Sequence, residues 1–249
     1  MDYKLLLDTA VMAGELMLAN GAETYRVEDT MQRMLELSGL KTAEAFVMVT
    51  GFLVTLDDPS IQSMTVSRRI QSRGSNLSVI DEINSISRSF CSGEIELPEA
   101  FRKIKKLKNE PSPPRAFLLA NAGVAAAFAL TYSGTFQEAL VAGIAGFFMA
   151  ICLYLCNRMK LPSFFGILLS ASVISLLAGG IFQLLPMIGN LDSIIVAAIM
   201  PLVPGVAITN AVFDTLHGDY ISGTARMMEA FVVAASVAMG IVIGLSVFH

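Results

Sequence analysis

Cations are nearly missing from the second half of this chain. Of its 17 Lys and Arg residues only Arg158, Lys160 and Arg226 follow Arg115, and only five of the 21 acids do. Charged residues make up 15% and hydrophobic residues 54%, with a mean hydropathy of +0.65. That balance argues against a soluble globular protein throughout and points to a water-soluble first half and a membrane-embedded second. A net charge of −4 gives no reason to expect a nucleic-acid partner. Cysteine is also scarce. Cys91, Cys152 and Cys156 make no disulfide framework, and Cys152 and Cys156, with no histidine near them, read as packed thiols rather than metal ligands. No Gly-x-x-x-x-Gly-Lys-Ser/Thr loop is present, so direct ATP use is not expected, nor is any metal or cofactor. The N-terminus does not read as a signal peptide, because Asp2, Asp8 and Glu15 interrupt its apolar run.

What is there divides at "PSPP". Residues 1–110 predict a small cytosolic α/β domain, 111–115 a Pro-rich linker and 116–249 a membrane domain. Helical spacing over 4–19 ends at Asn20-Gly21, and a second helix follows from about Thr24 with only a loose N-terminal signal. Residues 45–56, rich in Val, Phe and Thr, read as one buried strand; Asp57-Asp58-Pro59-Ser60 is a turn, and 62–70 a partner strand. Helices over 76–91 and in "LPEAFRKIKKLKNE" complete the domain. The run Arg102, Lys103, Lys105, Lys106, Lys108 and Arg115 reads as a cytosolic anchor for anionic headgroups, in preference to a merely solvated helix face. It carries no interleaved aromatics of the kind that stack nucleic-acid bases.

Apolar stretches at about 116–132, 137–157, 163–185, 192–212 and 226–248 each approach the length of a spanning helix. The loops between them alternate in basic charge, which places the N-terminus in the cytosol and the C-terminus outside. Two ridges of small residues, Ser236/Gly240/Gly244 and Gly166/Ser170 with Ser175/Gly179, suit close helix approach, either within the chain or against another membrane subunit.

The fourth stretch is unusual. In "PLVPGVAITNAVFDTLHGDY", Pro201 and Pro204 remove amide donors and Gly205 loosens the chain, so the span should kink or unwind. Discontinuous helices of this kind build substrate or ion sites in transporters, with a packing kink as the plainer reading. Asn210, Asp214 and His217, at i, i+4 and i+7, share a face if the helix continues, and Arg226 and Glu229 are neighbours at the start of the last span. Ionisable groups in spans usually pair or line a pathway. The plainer alternative is that Asp214, His217 and Asp219 mark the membrane boundary.

Two segments, "NGAETYRVEDTMQRML" and "PLVPGVAITNAVFDTLHGDYISGTAR", resemble the hallmark motifs of the threonine/serine exporter family, and the likeness covers nearly the whole chain. The resemblance implies a soluble domain followed by membrane helices and a secondary transporter driven by the proton gradient. Full-length members have about ten spans, so this chain looks like the larger component of a split form completed by a small multi-spanning membrane protein in the bacterial plasma membrane. The resemblance associates such pairs with export of threonine and serine or, in one branch, of succinate, and does not fix the substrate. It carries over Glu23, with Gly21 and Thr24 beside it, Pro204, Gly205, Asn210, Asp214, Gly218 and Arg226, while His217 fills a slot between motif positions. Two other readings stay open: a non-transporting scaffold or sensor with a ligand-binding cytosolic domain, and an intramembrane aspartyl hydrolase using Asp214 and Asp219. The second lacks the usual Gly-x-Gly-Asp, because "LHGD" has His217 where a glycine belongs.

Overall fold

The computed structural model of the chain describes residues 1–71, 73–107, 113–132 and 135–248. Lys108 of the basic run, Pro111 and Ser112 of the linker, and Ser133 and Gly134 of the first loop lie outside the described residues. The chain forms two compact units: Met1–Glu110 with Val206–Met227, and Pro111–Gly205 with Met228–His249.

The first unit opens with α1 (Tyr3–Ala19), capped by the Asp2 side chain, which accepts the Leu5 N–H. Its buried face, including Leu6, Ala10, Ala13, Gly14 and Met17, lies against α2 (Thr24–Glu36). A side chain at Gly14 would run into Met31 Sδ, so glycine there leaves room for the Met31 thioether. Three antiparallel strands follow in the order β1-β2-β3: Thr42–Met48, Gly51–Asp57 and Met64–Arg69. The apolar run over 45–56 is therefore a hairpin and not one strand. Met48 pairs with Gly51, and the chain reverses at Val49-Thr50, residues with no turn signature of their own. The turn at 57–60 forms on Asp58, which accepts the Ser60 N–H and hydroxyl and the Lys41 N–H; these bonds hold its carboxyl below the usual carboxylate range. Helices α3 (Leu77–Cys91) and α4 (Leu97–Lys106) complete one core, with Val54, Leu56, Ile83 and Ile104 fully buried in it.

The same unit takes in most of α9 (Gly205–Leu216) and the start of α10 (Tyr220–Leu245). Division at the PSPP linker alone would leave these residues with the membrane helices. Their polar side chains instead bond to groups of the N-terminal segment, as described below.

The second unit holds α5 (Pro114–Tyr132), α6 (Phe136–Arg158), α7 (Ser163–Leu184), α8 (Leu191–Ile199) and the remainder of α10. Among the described residues, four helices are long and apolar enough to cross a membrane, or five spans if the broken pair Leu191–Leu202 and Gly205–Leu216 counts as one. The break is local. After α8 comes one 3₁₀ turn, Met200–Leu202, which contains Pro201; Val203 is then extended, and α9 starts at Gly205 directly after Pro204. The last long helix begins at Tyr220 rather than at Arg226, because the Asp219 side chain accepts the Ser222 N–H and starts it earlier.

The small-residue ridges meet in part: Gly240 and Gly244 lie against α7, while Gly166 lies against Cys156 of α6 and Gly179 against Phe248. A side chain at Gly240 would strike the Leu168 carbonyl and Ala171, and one at Gly244 would strike Ser175. Gly240→Leu is therefore expected to destabilise the protein by about 1–3 kcal/mol, as overpacking does. Thermal unfolding in detergent checks this, and an unchanged midpoint would contradict the packing.

Candidate functional site

The site starts from the end of α1. Gly21 sits at φ +89°, a conformation that only glycine adopts easily, and a side chain there would meet the Gly74 carbonyl. This turn leaves two backbone carbonyls aimed at α9 and α10. Gly21 C=O accepts from Asn210 Nδ2 at 2.9 Å, and Ala22 C=O accepts from Arg226 Nη2 at 2.8 Å.

The next residues open α2, whose start lacks a local cap. Glu23 occupies the cap position but makes no side-chain bond to the helix, pairing with Arg26 at 3.1 Å instead. The cap comes from position 214. Asp214 Oδ1 accepts the Thr24 N–H at 3.0 Å and the Thr24 hydroxyl at 2.7 Å. A carboxylate at a helix N-terminus is well placed against both the free amides and the helix dipole. The other oxygen, Oδ2, accepts from Arg226 Nε at 2.9 Å. Asp219 Oδ2 also lies 3.0 Å from the Thr24 hydroxyl, so one hydroxyl bridges two carboxylates.

Asp214 is 0% exposed, Asn210 5% and Arg226 6%, which makes this a buried ion pair and not a surface one. Breaking such a pair leaves a charge stranded out of water. The approach of α10 to α9 depends on Gly223, since a side chain there would collide with Thr215 Oγ1 and the Ala211 carbonyl.

Asn210 and Asp214 thus share the face expected of i, i+4 spacing, but His217 leaves it. Helix α9 ends at Leu216 and Gly218 turns at φ +88°, so His217 stands exposed at the corner. Its Nδ1 lies 2.8 Å from the Phe213 carbonyl, and its ring stacks on Tyr25 at 3.9 Å with planes 3° apart. This stack borders a cavity of about 430 Å³ lined by Tyr25, Glu28, Phe46, His217, Asp219 and Tyr220 among others. Glu28 Oε2 accepts the Val47 N–H there. Glu229 is exposed on α10, and Pro201, Pro204 and Gly205 shape the break that precedes α9.

The sequence assigns no site role to Tyr25, Glu28 or Glu138, Glu28 entering only in the loose start signal of α2. Glu138, 3% exposed in the first turn of α6, accepts the Asn190 N–H at 2.6 Å, with Gly189 at φ +132° packed closely against it. The available signal was Thr135-x-x-Glu138, a capping-box pattern. Among the described residues no group of three His, Cys, Asp or Glu side chains is placed to hold a metal ion.

Comparison with known proteins supplies the lineage. The chain is 25% identical over 248 residues to the "Probable threonine/serine exporter" of Mycobacterium tuberculosis, covering 96% of this chain and 46% of that protein. It is 24% identical to the "Probable succinate transporter subunit YjjP" of Escherichia coli, covering 96% of this chain and 93% of the relative. It is 20% identical to the "Threonine/serine exporter" of Corynebacterium glutamicum, covering 96% and 50%. The chain therefore spans about half the length of the two exporters and nearly all of the succinate transporter subunit. No solved structure matches it. The family described as "Putative threonine/serine exporter" matches residues 8–248, and with nearly every residue aligned the chain belongs to the threonine/serine exporter family and is a multi-pass membrane protein.

Proposed function

We propose that this chain is a subunit of a secondary-active, proton-coupled exporter of small carboxylate-bearing metabolites. In this reading it works with a small multi-spanning membrane partner, in a bacterial plasma membrane, with its N-terminus in the cytosol. The observation that carries the reading is the buried network in which Asn210, Asp214 and Arg226 hold residues 21–24, next to a cavity of metabolite size. The relatives' names and the full-length likeness to a transporter subunit support the two-component form. The basic loops support the orientation.

Arg226 is the cation for a substrate carboxylate and Asp214 is its resident counterion. A proton on Asp214 Oδ2 removes the acceptor of Arg226 Nε and frees the guanidinium for the substrate; deprotonation restores the pair and expels the substrate. Glu229, three residues beyond Arg226, offers a second carboxylate on the same helix. Arg226 is buried and is not itself a lining residue of the cavity, whose walls, among the described residues, carry no Lys or Arg for a second carboxylate, whereas Glu28 and Asp219 line it and can receive an ammonium group. That lining favours threonine or serine over succinate.

The test is efflux from vesicles carrying this chain with and without its small membrane partner, under an imposed pH difference. Threonine or serine should leave only with the partner present, and collapse of the pH difference should slow efflux at least tenfold. Equal efflux without the partner, or indifference to the gradient, would overturn the reading.

A further inference from the structure

The motif segment that supplies Thr24 has a second face. Arg26, Thr30 and Arg33 follow one another at i, i+4 and i+7 along α2, and Asn84, Ser87 and Arg88 lie at i, i+3 and i+4 on α3. Together with Asp29 they line a separate cleft of about 140 Å³. We propose that this cleft binds a compact oxyanion of the phosphate class, held by Arg26, Arg33 and Arg88 with the hydroxyls of Thr30 and Ser87.

Three guanidiniums converge on a space that fits one small anion. Two are tethered: Arg33 Nε bonds Asp29, itself in the lining, at 2.9 Å, and Arg26 Nη1 bonds Glu23, which is not among the lining residues, at 3.1 Å. Each tether occupies part of a five-donor fork and fixes its direction, leaving N–H groups for a ligand. Arg88 has no ion-pair partner among the described residues. In the lining, Thr30 is 8% exposed and Ser87 5%, so two hydroxyls, that of Ser87 bonded to the Cys91 thiol, are buried where a packed helix interface would ordinarily carry apolar side chains. Beside them, burial pushes the Cys91 thiol up, so it adds no negative charge at neutral pH. Guanidinium forks with short hydroxyls are the donor set that recognises phosphate oxygens.

Such an oxyanion can come from the cytosol or from a lipid headgroup. The probe is inorganic phosphate, titrated against the full chain in neutral phosphatidylcholine nanodiscs at constant ionic strength set with chloride, and followed by calorimetry. Saturable binding is expected, weakened about tenfold or more by Arg88→Gln and by Ser87→Ala, and unchanged by Lys103→Gln, which does not line the cleft. Arg88 is exposed, so its substitution spares the core. Repeating the titration in phosphatidylglycerol nanodiscs separates the sources. Loss of phosphate binding there assigns the site to a headgroup, and its retention to a free anion; either outcome supports an oxyanion site. Phosphate heats no different from chloride in neutral discs, or full binding by Arg88→Gln, would overturn the proposal. The assay involves no transport, so its outcome is independent of the exporter reading.

Discussion

Asp214→Asn is expected to reduce efflux by more than tenfold while the protein still inserts in the membrane at normal levels. The substitution keeps the size of the side chain and one carbonyl oxygen, so the two bonds from Thr24 can survive. It removes the charge and turns an amide donor toward Arg226 Nε, which is itself a donor. The variant can no longer exchange a proton for the Arg226 pair, which is the step the proposed cycle needs. Efflux with the partner present, read alongside surface-labelled protein, checks this. Normal efflux by a normally inserted variant would remove Asp214 from the coupling mechanism.

Arg226→Ala should cost about 3–5 kcal/mol of stability, because it strands a buried carboxylate and also leaves the Ala22 carbonyl without its donor. Denaturant unfolding of the purified protein measures the loss. Adding Asp214→Leu to Arg226→Ala should recover much of it, since the double variant no longer buries an unpaired charge. A loss below about 1 kcal/mol would place the pair among weakly coupled surface contacts instead.

Sequence alone reaches some levels of this architecture and not others, for identifiable reasons. Helices α1 and α3 are visible because their apolar positions recur at helical spacing. Helix α2 gives only a loose start signal because its cap lies 190 residues away, at Asp214. The β1–β2 hairpin hides within one apolar run because both strands bury alternate residues and the turn between them has no glycine, proline or asparagine. Asn210 and Asp214 are legible as one face from their spacing. What that face meets is not legible, because the carbonyls of Gly21 and Ala22 carry no side-chain signature. His217 departs from its expected face because Gly218 ends the helix one residue after it.

The central claim is that the N-terminal motif and the Asn210–Arg226 motif act as one buried unit. A double-mutant cycle between Thr24→Val and Asp214→Ala, read as unfolding free energy, tests it most directly. The network predicts a coupling of at least about 1 kcal/mol, because either substitution breaks the charge-assisted bond from the Thr24 hydroxyl to Asp214 and the double variant loses it only once, while the Thr24 N–H bond survives Thr24→Val and drops out of the cycle. Strict additivity of the two substitutions would contradict it.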